Sequence, residues 1–221
     1  MSGWPGPATV EAMTLSRRAA FAGTALVGAA LTALLAIIGQ FGPDPDFSQI
    51  ALTVSDYAVA DRGGVTDWAM VTFGTSALAL LLALDRPRRL LSAILALFAA
   101  AMIVAAVAPT DPGPQLTLTG TIHRYASVAA FAALPTSGLL LAERYARLAG
   151  LIRGLVAASS VFMLAMLGSA VFADRAWIGV AERLLLGAGV ILLGVLALGA
   201  LHAAEPAIRC TPWQRTSRTT G

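Results

Sequence analysis

The chain has 221 residues, 57% of them hydrophobic and only 12% charged. Soluble domains carry about 25% charged residues, and a soluble fold of this length cannot bury so much apolar surface. A water-soluble globular domain is therefore excluded, and a bilayer is the solvent that fits. The net charge of +3 rests on fifteen basic residues, all arginine. They stand in short clusters between apolar runs, without a basic stripe or interleaved aromatics, which argues against nucleic-acid binding.

Residues 1–18 read as a short polar tail ending in Ser16-Arg17-Arg18. An arginine pair before an apolar run has the form of a twin-arginine export signal. The run from Ala19 to Phe41 is longer than a cleavable signal core of about 7–15 residues, and it ends in Gly42-Pro43-Asp44-Pro45 rather than a small-residue cleavage site. The pair reads as an anchor for a first membrane span. A helix needs about twenty apolar residues to cross ~30 Å of hydrocarbon. Six segments meet that test, at 19–40, 66–84, 90–108, 120–141, 151–172 and 181–203. The fold class expected is all-α: a polytopic bundle of six transmembrane helices in one domain, 19–203, with tails at 1–18 and 204–221.

Eleven of the fifteen arginines, from Arg17 and Arg18 to Arg215 and Arg218, fall on one side of this topology. The positive-inside rule makes that side the cytoplasm, with both termini inside a plasma membrane. Arg62, Arg124, Arg175 and Arg183 fall on the other side, with eight of the twelve acids. Asp44, Asp46 and Asp61 are read as solvated loop charges. Small residues, among them Gly23, Gly28, Gly150, Gly154, Ser169, Gly187, Gly189, Gly194 and Gly199, are expected to let helices approach closely. Gly150-Leu-Ile-Arg-Gly154 fits GxxxG only weakly as a dimerisation signal, and the oligomeric state stays open. The single cysteine, Cys210, has no partner for a disulfide and no metal-site spacing around it.

Polar residues gather at the acidic side. The longest connector holds Ser55-Asp56-Tyr57 and then Trp68. Asp and Ser cap helix starts, and a tryptophan at a span end is most simply interfacial. Pro109-Thr110-Asp111-Pro112 ends the third span, because proline forbids helix continuation. Thr119 or Thr121 is the expected N-cap of the fourth, with His123 in its first turn and Arg124 beside it. A histidine at a positive helix end stays neutral, which suits an acceptor or a proton relay. Glu182 and Arg183 open the sixth span. Each has a bland reading alone; together Asp56, Asp111, His123 and Glu182 are expected to meet in one niche under the outer surface, since ionisable groups at membrane depth face cavities and partner one another.

The order Ser55-Asp56-Tyr57, Pro109-Thr110-Asp111-Pro112, Gly120-Thr-Ile-His123 and Gly179-Val-Ala-Glu182-Arg183 resembles the bacterial six-helix membrane family catalogued as domain of unknown function 998, over roughly residues 20–203. Two departures are Ala108 where that family often has Phe, and a loosened Gly-x-x-Gly-Trp region ending at Asp67-Trp68. The resemblance implies an integral-membrane fold and a recurrent polar set at the outer face, and no activity.

Three functions follow from these residues. One is a binding or scaffold protein whose polar set either stabilises the outer end of the bundle or holds a lipid or isoprenoid headgroup, with Ser55, Tyr57, Trp68, Thr110, Arg124 and Arg183 in contact and the two arginines neutralising the acids. Another is an intramembrane enzyme of cyclase or hydrolase type, in which Asp56, Asp111 or Glu182 is the general acid or base and His123 the proton partner, or in which the carboxylates hold a hard divalent cation for hydrolysis. The third is a transporter, whose mid-membrane polar groups would be Ser159, Ser160 and Pro135. No cofactor is implied. A zinc site is disfavoured because the only other histidine, His202, lies at the opposite face.

Overall fold

A computed structural model describes residues 7–41, 48–60, 63–111 and 117–209. Asp44, Asp46, Asp61 and Cys210 lie outside the described residues. Every regular element among the described residues is an α-helix: α1 (Pro7–Ile38), α2 (Val54–Ala60), α3 (Val65–Ala83), α4 (Arg89–Val107), α5 (Leu118–Ala142), α6 (Ala149–Phe172) and α7 (Ile178–Arg209). Six of them, all but α2, are long and apolar enough to cross a membrane.

Local chemistry sets several boundaries. Pro7 opens α1, where its missing N–H would be unsatisfied in any case. The helix thus runs well before the apolar stretch at Ala19, because hydropathy marks the bilayer rather than the helix. Pro109 disfavours helical geometry at the residue before it, and Ala108 caps α4 in an extended conformation. Pro135 lies inside α5 without ending it.

The long helices form a closed ring in which each packs on its neighbours in the order α1, α3, α4, α5, α6, α7 and back to α1. Helix α7 also touches α3 and α5. Over half of its most apolar window (56%) is buried, against 17% for α6, so α7 is the inner helix and α6 the outermost. Leu192, Leu193 and Leu196 of α7 are fully buried with Leu80, Leu95 and Phe98. Phe73 meets Phe98 edge-on, with ring centroids 4.9 Å apart. The small-residue expectation holds in part: Gly28 seats against Ser76 and Gly199 against the Tyr145 ring, whereas Gly23, Gly150, Gly154 and Gly187 face open space. Alternating direction brings the last turns of α1, α4 and α6 and the first turns of α3, α5 and α7 to one end, where α2 lies between α3 and α7.

Candidate functional site

Short helix α2 is the piece around which the polar groups collect. Thr53 and Asp56 form a reciprocal capping box: Asp56 N–H donates to Thr53 Oγ1 at 3.1 Å, and Thr53 N–H donates to Asp56 Oδ2 at 2.8 Å. The next free donor of that first turn, Val54 N–H, goes to Glu182 Oε2 of α7 at 2.6 Å. Glu182 is buried, and it also hydrogen-bonds the Ser55 side chain. A carboxylate at a helix start is favoured by the peptide dipoles.

The same logic holds His123 on the other side of α2. In a continuous helix the Ala105 carbonyl would accept from the N–H of residue 109, which proline lacks. His123 Nδ1 fills that gap, lying 2.8 Å from both Ala105 O and Ala108 O. Carbonyls only accept, so Nδ1 carries a proton. In the Nδ1–H tautomer Nε2 is an acceptor, and it lies 2.9 Å from Ser55 Oγ. Ser55 thus stands between the imidazole of α5 and the carboxyl group of α7, and its one hydroxyl proton serves only one of the two at a time. The niche beside them, bounded by Ser55, Pro109, Thr110 and His123, has a volume of only about 10 Å³, room for one water.

Two glycines make this closure possible. A side chain at Gly179 would collide with Leu52 O, Gln49 O and Arg183, and Gly179 N–H donates to Ile50 O at 2.9 Å. One at Gly120 would collide with the Asp111 carboxylate. In each Gly-x-x-X sequence the glycine lets a connector press on the first turn of a helix. The residue three positions on, Glu182 or His123, then reaches the neighbouring element.

The other expected residues divide. Asp56 stays beside the cluster, but its ion pair is with Arg175, at 2.8 Å. Arg183 does not pair with it directly. Its Nε donates to Gln40 Oε1 at 2.7 Å and its Nη1 to Gln49 O and Leu52 O, both at 2.8 Å. Its guanidinium lies 5.1 Å from the centre of the buried Tyr57 ring. Asp111 works apart from the cluster, accepting from Thr117 N–H at 2.8 Å and Thr117 Oγ1 at 2.7 Å. Thr117, rather than Thr119 or Thr121, is the N-cap of α5, its Oγ1 accepting from Gly120 N–H. Trp68 and Arg124 are exposed, and Arg124 joins neither of the ion pairs found among the described residues. Thus three of the four expected groups (Asp56, His123, Glu182) adjoin α2, and Asp111 clamps the start of α5 instead. No group of three or more His, Cys, Asp or Glu side chains that could hold a metal occurs among the described residues.

Sequence reasoning missed Gln40, Arg175 and Thr53. Thr53-x-x-Asp56 is a readable capping box; Gln40 and Arg175 carry no local signal.

An apolar groove runs beside the cluster, between the last turns of α1 and the first turns of α7. It encloses about 400 Å³ and is lined by Ala33, Ile37, Leu186, Gly187 and Ile191, with Gln40 and Arg183 at its head. Gln40 Nε2 and Arg183 Nη2 are buried there with no hydrogen-bond partner among the described residues.

Residues 26–199 match the family described as "Protein of unknown function (DUF998)". The chain belongs to that family. No curated protein and no solved structure matches it. This DUF998 member is a multi-pass membrane protein, and its six apolar helices imply a lipid-bilayer environment.

Proposed function

We propose that this protein binds a lipid or lipid-like amphiphile at the α2 end of the bundle, with one apolar chain in the α1–α7 groove and an acceptor oxygen of the headgroup at Gln40 and Arg183. The observation that carries the reading is the pair of buried, unpartnered donors at the head of an otherwise apolar groove. Unpaired buried donors cost about 1–3 kcal/mol each, and an acceptor from a ligand removes that cost. The volume of about 400 Å³ lies in the range of small-molecule sites, about 300–1,000 Å³. The Ser55–His123–Glu182 cluster seats α2, and with it the 49–52 turn that fixes Arg183. The arginine distribution supports placing this end at the outer face of a plasma membrane, with both termini cytoplasmic.

Gly187 gives a clean test, because a side chain there enters open space. Protein in detergent is titrated with a spin-labelled fatty acid, and bound label is read as immobilised signal. Gly187→Leu is expected to weaken binding about tenfold or more, about 1.4 kcal/mol, because its side chain takes space in the groove, while leaving the unfolding temperature unchanged. Equal binding by wild type and Gly187→Leu, or none by wild type, ends the proposal. Chemical conversion of an isoprenoid or lipid ester added in the same assay would move the Ser55–His123–Glu182 cluster from a seating role to acid–base chemistry.

A further inference from the structure

We infer that a second lipid site lies at the opposite end of the bundle, in a cleft of about 730 Å³ between the α3–α4 turn and the last turns of α5, and that its occupant is an anionic glycerophospholipid. The rim carries Arg86, Arg88 and Arg144 against a single acid, Glu143. Asp85, next to Arg86 in the chain, is already taken by Arg18 at 2.5 Å. Arg144 is anchored, its Nη1 donating to Asp85 O at 2.9 Å. Arg86 and Arg88 are exposed, and neither joins an ion pair among the described residues.

Two further features point to a phosphate at this rim. Helix α4 starts at the cleft with Arg88 as N-cap, no side-chain cap bond and no acid in its first turn. Its first N–H groups thus remain available to an anion. Below the rim the wall turns apolar, with Leu90, Leu139 and Leu140 lining the cleft and 62%, 52% and 38% exposed. Guanidinium above and leucine below is the order of groups in a phospholipid lying along a bundle: phosphate at the boundary, acyl chain beneath. The site shares no residue with the α1–α7 groove and stands whether or not that groove binds an amphiphile.

The experiment is native mass spectrometry of the full chain in detergent. It is equilibrated with equal amounts of phosphatidylglycerol and phosphatidylcholine, and separately with glycerol phosphate alone. Expected are a preference for phosphatidylglycerol of about tenfold or more and no retention of glycerol phosphate, because the chain contact is needed. Each arginine near an anionic lipid contributes about a fivefold change in binding, so Arg86→Gln with Arg88→Gln removes the preference. Arg153→Gln, at an exposed arginine that does not line the cleft, leaves it intact. Equal retention of the two lipids, a preference that survives the double substitution, or one lost equally in Arg153→Gln overturns the inference. Glycerol phosphate binding as tightly as the lipid would also overturn it, by assigning the rim to a soluble anion.

Discussion

The two ends of this bundle handle charge in opposite ways. At the α2 end, ionisable side chains are drawn inward and spent on backbone groups: Glu182 on Val54 N–H, His123 on the Ala105 and Ala108 carbonyls, Arg183 on the Gln49 and Leu52 carbonyls. At the other end the charges stay outside and meet each other, as Arg18 meets Asp85. What is buried there is the Tyr145 ring, packed on Gly199. A buried polar group bonded to backbone specifies one arrangement and is expensive to orphan. An exposed ion pair specifies little and contributes about 0–1 kcal/mol. The α2 end is therefore the geometrically determined one, and substitutions should weigh accordingly.

The largest effect is expected at Glu182. Glu182→Leu leaves Val54 N–H without a partner in a buried place, and should cost about 2 kcal/mol. Glu182→Gln keeps a carbonyl oxygen for that donor and should lose about half as much. Thermal unfolding in detergent measures both. Equal losses for the two variants would mean that charge, rather than an acceptor for α2, is what the position supplies, and the contrast between the ends would need another basis.

A smaller effect, of opposite location, is expected at Tyr145. It lies in the turn between α5 and α6, and burial pushes its hydroxyl up to about 12, with nearby Arg144 pulling the other way. The folded state then holds the proton more tightly than the unfolded chain. Stability from this source is fully present below about pH 10, the unfolded value, and is lost as pH rises through about 12. In that window wild type should lose about 1–2 kcal/mol relative to Tyr145→Phe, which has no proton to release. Parallel pH profiles of the two proteins above pH 10 would remove Tyr145 as the cause.

Much of the fold was readable because a bilayer imposes one dominant rule. Spans of apolar residues are helices, since no other open segment satisfies its backbone there. The six spans differ from the helices only at their ends, as at Pro7, where the bilayer rule is silent. The site was half readable. His123 and Glu182 stand out as polar residues one turn past a glycine, and topology puts both at one end. Their partners are another matter: the acceptor for His123 is a carbonyl vacated by Pro109, and the donor for Glu182 is an N–H of α2. Backbone groups are present at every position, so composition cannot single them out. Asp111 misled for the same reason. An acid between prolines looks available, yet a threonine six positions on, Thr117, takes both of its oxygens.

The smallest and most discriminating contrast concerns the two tight turns that carry non-glycine residues in the left-handed region. Arg86, with φ of 42°, turns α3 into α4, and Arg175, with φ of 62°, turns α6 into α7. That conformation costs an L-residue about 1–2 kcal/mol, which glycine does not incur. Arg86 engages in neither ion pair found among the described residues, so Arg86→Gly should stabilise the protein by about 1 kcal/mol in lipid-free detergent. Arg175→Gly gains the same relief but gives up the bond to Asp56, whose side chain is only 12% exposed. The two changes should nearly cancel, leaving a shift within about 0.5 kcal/mol of zero. A double-mutant cycle with Asp56→Asn isolates the ion-pair part: coupling to Arg175 should be positive, and coupling to Arg86 absent. If Arg175→Gly stabilises as much as Arg86→Gly, the Asp56–Arg175 pair holds nothing in place, and the α2 end rests on its backbone bonds alone.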